Sequence, residues 1–273
     1  MVKQEDFDIT FAKRNFFKYS TLGILIILLM AQCGGALFSI RVIPEAISLG
    51  VAFICIMYLW LTERKDIEFL KEANLKLLRA QEDLKASHVD TILALVLSQE
   101  SKDSYTYGHS ERVKRFSILL ANMLGLSKGE IETIARGAKL HDIGKIGLKD
   151  DVLFSKEQLT SEQFDVIKTH PVKGVTILDP LKFLEREKLI VRHHHERFDG
   201  SGYPDSLKGE SIPLGARIVC VADAFDAMRS QRLYNNPLPK EEIVKRFTEK
   251  SGIQFDPKIV DVFVRNINRF YAL

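Results

Sequence analysis

The stretch RHHHERFDGSGYP, residues 192–204, sets three of the chain's seven histidines side by side and follows them with an acidic turn broken by glycine. A helix that delivers histidines from its end and then stops fits this pattern. Gly200 and Gly202 supply the backbone freedom the turn needs. Helical periodicity continues on either side. Apolar residues recur at helical spacing through VDTILALVLSQ and SERVKRFSILLANMLGL. Ser127 with Glu130, and Thr160 with Gln163, have the spacing of capping boxes that open helices. ARIVCVADAFDAM after Pro213 reads as a buried helix. KEEIVKRFTEK and PKIVDVFVRNINRFY close the chain, with Gly252 and Pro257 as punctuation. No alternating strand pattern and no internal repeat is visible, so the predicted class for residues 88–273 is all-α.

The chain of 273 residues is long enough for one sizeable domain plus something more. Its 46% hydrophobic and 27% charged residues fit a folded protein. A net charge of +3 is too small to point to a nucleic acid polymer as partner. Cys33, Cys55 and Cys220 lack the paired spacing of a zinc or redox motif and read as reduced, small apolar residues.

Apolar residues concentrate near the start. No charged residue lies between Lys18 and Arg41, nor between Glu45 and Glu63. A membrane span needs ~20 apolar residues, so residues 19–62 are expected to form a transmembrane helical hairpin after a cytoplasmic segment, 1–18. Lys13, Arg14 and Lys18 before it, and Arg64, Lys65 and Lys71 after it, place both ends in the cytoplasm. A bacterial inner-membrane location follows. The first run is longer than the ~7–15 apolar residues of a signal peptide. Residues 63–87 then turn polar and helix-favouring. Leu70, Leu77 and Leu84 recur every seven residues, beside a seam of Ile67, Asn74, Gln81 and His88. This reads as a linker helix forming a short coiled coil in a homodimer, or as an amphipathic helix lying on its own domain.

The residue types that carry chemistry recur at separated places: His109 in YGHSERV, His141 and Asp142 in LHDIGK, His170 in KTHP, the histidine run, and Asp223 inside an apolar helix. A lone histidine is more often a packed or surface residue than a ligand. A carboxylate in an apolar helix must be paired, protonated or metal-bound. Imidazole and carboxylate together suit iron, manganese, zinc or similar divalent ions.

His109, the pair His141–Asp142, the run HHExxDGxGYP from His194 to Pro204, and Asp223 resemble the HD-GYP domain, a subgroup of the HD phosphohydrolase superfamily. The flanks HDIGKIG, LKGESIPLGARI and QFDP resemble it too, so the likeness covers nearly all of residues 88–273. It implies an HD-type helical bundle and a phosphodiesterase that opens cyclic di-GMP to pGpG, in some members to GMP. It implies metal ligands at His109, His141, Asp142, His170, His194, His195 and Asp223, with Asp142 as bridge and His193 as a neighbour. Lys145 would contact phosphate, and Gly202, Tyr203 and Pro204 form the signature loop. Arg229 and Arg232 are candidates for the second phosphate, the alternative being a solvated surface. Members with three ions carry a glutamate four residues before the first histidine. Tyr105 stands there, which implies two ions, iron or manganese first. The segment RLY, residues 232–234, departs from the family's Arg-Pro-Tyr and loses no ligand.

Two such ions, ~3.5–4 Å apart, activate a water and clamp the phosphate oxygens, and Lys145 would stabilise charge on the phosphate. The implied partners are cyclic di-GMP, the membrane, a second copy of the chain, and a diguanylate cyclase or other signalling protein. Two other readings stand beside this one: a non-catalytic adaptor, and a phosphodiesterase for another cyclic dinucleotide.

Overall fold

The computed structural model describes residues 23, 24, 26, 27, 30, 45–101, 108–153, 160–230 and 236–273, with the side chains of 45–49 excepted. Most of the expected first span, loop residues 41–44, Cys33, Tyr105 and Arg232 lie outside the described residues. The chain divides into two compact units, Met1–Leu84 and Lys85–Leu273.

Among the described residues all regular structure is helical, apart from one isolated bridge between Ser251 and Phe255. The expected second span, the linker and the start of the domain form a single helix, α1, Glu45–Glu100. No glycine or proline stands between Gly50 and Gly108, so nothing in the sequence stops the helix at residue 62 or 87. The transmembrane hairpin is not supported: among the described residues, no helix is long and apolar enough to cross a membrane. Leu70, Leu77 and Leu84 are exposed on α1.

In the second unit, α2 (His109–Met123) and α3 (Lys128–Leu140) pair, and α3 opens on the capping box of Ser127 and Glu130. A 3-10 turn, Ile143–Gly147, follows α3 directly. Beyond α4 (Asp150–Leu153), the second capping box, Thr160 with Gln163, starts α5 (Ser161–Ile167). Then come α6 (His170–Leu178), α7 (Glu185–His193), α8 (Leu214–Arg229), α9 (Lys240–Glu249), α10 (Pro257–Arg265) and α11 (Ile267–Tyr271).

Two apolar clusters hold these helices. Phe116, Phe225, Phe247, Phe255, Phe263 and Phe270 are all buried in the larger one, with Phe225 edge-on to Phe116 at 5.0 Å and to Phe263 at 5.1 Å. Each such ring contributes about 1.5–3 kcal/mol on burial. Phe225 therefore pins α8 between Asp223 and Asp226. The smaller cluster joins Val96 near the end of α1 to Leu140, Ile143, Leu178 and Val191, which lie beside the histidines.

Candidate metal centre

Asp142 stands where α3 gives way to the 3-10 turn. Its two carboxylate oxygens face opposite ways. Oδ2 lies 3.3 Å from His141 Nε2 and 4.0 Å from His109 Nε2. Oδ1 lies 3.3 Å from His170 Nε2 and 4.0 Å from His194 Nε2. Donor atoms of His109, His141 and Asp142 all fall within 4.8 Å of one another. So do those of Asp142, His170, His194 and His195. One carboxylate is common to both groups.

The approach of the turn to α6 makes this possible. A Cβ on Gly144 would sit 1.9 Å from the His170 carbonyl oxygen and 2.5 Å from the Gly174 nitrogen. Only a residue without a side chain lets these backbones meet.

Three of the candidate rings are aimed the same way. The Nδ1–H groups of His141, His170 and His194 donate to the carbonyls of Ala138, Ile167 and Val191, at 2.7, 2.8 and 2.8 Å. That fixes the tautomer and leaves each Nε2 lone pair turned toward Asp142. Burial holds His170 and His194 below the usual histidine range and brings His195 to about 4, so these rings are neutral at pH 7. Burial opposes the charge on Asp142, yet Lys145, then His141, holds it well below the usual carboxylate range. Lys145 Nζ donates to Asp142 Oδ2 at 2.5 Å.

Two atoms test whether a metal fits. His141 Nε2 and Asp142 Oδ1 are buried without a hydrogen-bond partner. Leaving a buried polar group unsatisfied costs about 1–3 kcal/mol, and here both are donor atoms facing the cluster. Neutral imidazoles around a shared carboxylate match the needs of divalent ions. The residues fit such a group.

The two sides differ in charge. His109 sends Nε2 to Asp223 Oδ1 at 3.3 Å and Nδ1 to Asp226 Oδ2 at 2.8 Å. Burial works against its charge, but Asp223 and Asp226 override it and raise His109 to about 9. Without metal, His109 is protonated at pH 7. That favours folding fully below about 6.5, and the contribution fades as pH rises through about 9. A metal held by His109 would have to displace this proton. Uptake on this side is expected to release about one proton at pH 7 and to tighten as pH rises toward 9. Calorimetry in buffers of different ionisation enthalpy measures the release. An affinity independent of pH across that window would contradict the assignment.

The sequence reading missed Asp226, which is 1% exposed. It sits one turn after Asp223 and takes both His109 and Arg112, whose Nε and Nη2 approach at 2.7 and 3.0 Å. The spacing DAFD was the available signal. Glu196 was missed too. Buried, it accepts from the backbone N–H groups of Asp205 (2.7 Å) and Leu207 (3.1 Å), and so shapes the loop after the histidines.

In that loop Gly200 has φ +89°, the left-handed region expected of it. Gly202 has a different cause. Its Cβ would meet Arg197 N at 2.3 Å and Glu196 Cα at 2.5 Å, so close approach, not conformational freedom, requires glycine. Tyr203 is thereby brought to His195, ring to ring at 4.9 Å, and Pro204 follows it. His193 lies in neither donor group. It donates from Nδ1 to the Leu189 carbonyl, and its Nε2 meets Asp205 at 2.9 Å, where Arg192 also binds.

Arg229 is not brought to the cluster. Its Nη1 donates to the Phe270 carbonyl at 2.9 Å, and its guanidinium lies over Phe116, 5.1 Å from the ring centroid. Six residues along a helix is a turn of about 240°, which carries Arg229 away from the face of Asp223. Cys55 and Cys220 are free thiols. Burial, then Asp223, pushes Cys220 up to about 12.

A helical domain in which one aspartate is shared by two histidine groups is a metal-binding domain of the His-Asp kind. Residues 95–259 match the HD domain, and the chain belongs to that family. Cyclic di-GMP phosphodiesterase response regulator RpfG of Xanthomonas campestris pv. campestris is 39% identical over 192 residues, 70% of this chain and 51% of that protein. The 3′3′-cGAMP-specific phosphodiesterase 2 of Vibrio cholerae is 32% identical over 193 residues, 70% of this chain and 37% of that protein. The chain thus spans about half, or less, of the length of these curated relatives. In fold, it resembles the crystal structure of a cyclic GMP-AMP-specific phosphodiesterase of V. cholerae, with a TM-score of 0.52 and 23% identity over 67% of this chain and 50% of that one.

Proposed function

We propose that the protein is a metal-dependent phosphodiesterase that opens cyclic di-GMP to pGpG. The observation that carries this reading is the sharing of Asp142 between two groups of donors. Asp142 with His109 and His141 would hold one ion, with Asp223 beside His109. Asp142 with His170, His194 and His195 would hold the other. Iron or manganese suits this donor set. When bound, divalent ions supply Lewis acidity toward a phosphodiester and acidify water. The chain's own residues supply the rest. His141, His170 and His194 are oriented by backbone carbonyls, and His109 by Asp226. Lys145, half-exposed beside Asp142, keeps positive charge where a phosphate oxygen would lie. Tyr203, against His195, forms a wall of the site. In the reaction the water oxygen joins phosphorus, the 3′ oxygen leaves with a proton, and a linear dinucleotide with a 5′-phosphate results.

A second reading is specificity for 3′3′-cGAMP, favoured by the relative from V. cholerae. Both are tested by purifying the full chain without oxygen, counting its metals, and measuring hydrolysis of each nucleotide alone and in competition. About two ions per chain and preferred opening of cyclic di-GMP are expected. Preferred opening of 3′3′-cGAMP would move the assignment to the second reading. Bound metal with neither nucleotide opened would favour an adaptor.

Membrane attachment rests on the two uncharged runs alone, and dimerisation on the exposed leucines of α1. Both go with this proposal as its cellular setting. A chain that stays in the supernatant when membranes are pelleted would remove the first, and a monomeric mass the second.

A further inference from the structure

We propose that Glu100 is a positioning residue for His109, tying the last residue of α1 to one side of the metal centre. The inference rests on His109 being a metal ligand, as proposed above.

Glu100 is 8% exposed, little for a glutamate at a helix end. Its carboxylate reaches the first turn of α2. Oε2 accepts from Gly108 N–H at 3.1 Å. Oε1 accepts from Ser110 N–H at 2.8 Å and Ser110 Oγ at 2.5 Å. Gly108 is the N-cap of α2, has φ 72°, and offers no side chain to its own helix. The first N–H groups of any helix lack partners within it, and a carboxylate there also suits the helix dipole. Here that carboxylate comes from the preceding helix.

His109 is the residue between the two amides so held. Its backbone is pinned on both sides by one carboxylate, and its ring is then set by Asp226 and Asp223. Glu100 is itself well seated. Val96, one turn earlier, is buried in the cluster with Leu140, Ile143 and Val191.

The test is a Mn(II) titration of the full chain and its Glu100→Ala and Glu100→Gln variants, followed by calorimetry, with metal-free thermal unfolding measured in parallel. The binding step that His109→Ala removes identifies the His109 side. Supporting outcomes are a weakening of that step by roughly 10-fold or more in Glu100→Ala, the scale for a lost partner of a ligand, and a smaller loss in Glu100→Gln, which keeps one acceptor oxygen. The other step should stay within about twofold. Unchanged affinities in both variants would overturn the proposal. So would equal weakening of both steps with a lower metal-free unfolding temperature, which marks a plain structural cap. A wild-type chain that takes up no Mn(II) would remove the metal centre itself, a result distinct from either.

Discussion

Asp142→Ala is expected to lose both metals together and to bring hydrolysis down by on the order of 10³-fold or more. Lewis-acid assistance is worth several kcal/mol, and about 1.4 kcal/mol is a factor of ten. Among the described residues no other side chain belongs to both donor groups: Oδ2 faces His141 and His109 while Oδ1 faces His170 and His194. His170→Ala, which reaches one group, should leave roughly half the metal. Metal analysis and initial rates on the same samples decide it. An Asp142→Ala protein that keeps one tightly held ion and a tenth of its turnover would show that the carboxylate does not join the two groups.

Gly144→Ala has the second largest expected effect, although glycine offers no chemistry. The added carbon would lie 1.9 Å from the His170 carbonyl oxygen and 2.5 Å from Gly174 N, both backbone atoms that cannot rotate aside. Overpacking costs typically 1–3 kcal/mol and sometimes more, and this position belongs at or above the upper end. At ~2–4 °C per kcal/mol for a domain of this size, the unfolding midpoint should fall by roughly 10 °C. Metal should fall with it, because His170 and Asp142 are drawn apart. A midpoint within about 2 °C of wild type, at full metal content, would mean that the turn and α6 separate freely.

The helices and the first rank of site residues were legible because their signals are local. Ser127 with Glu130, and Thr160 with Gln163, form the capping boxes their spacing predicts. The ligand candidates announced themselves by residue type, and the structure gathers His109, His141, Asp142, His170, His194 and His195. The supporting residues were not legible, because their roles depend on partners far off in sequence. Asp226 meets His109 across 117 positions, and Glu100 works on a helix that begins only after its own has ended. The contacts of Arg229 with the Phe270 carbonyl and the Phe116 ring were not legible for a related reason: nearness to Asp223 along the chain says nothing of which side of α8 it occupies. The helix Glu45–Glu100 runs through positions 62 and 87 because a change from apolar to polar residues does not by itself end a helix.

The backbone bonds of His141, His170 and His194 reach further than the aim of three rings. Each ring satisfies a carbonyl of its own helical turn, so each ligand is part of the scaffold before it is part of a site. In zinc fingers the ion and the fold arrive together. Here three of the rings are held by the helices' own carbonyls. The aim of these three rings is thus written into the peptide groups of α3, α5 and α7, and a shift of any of those carbonyls is a shift of the ring it holds.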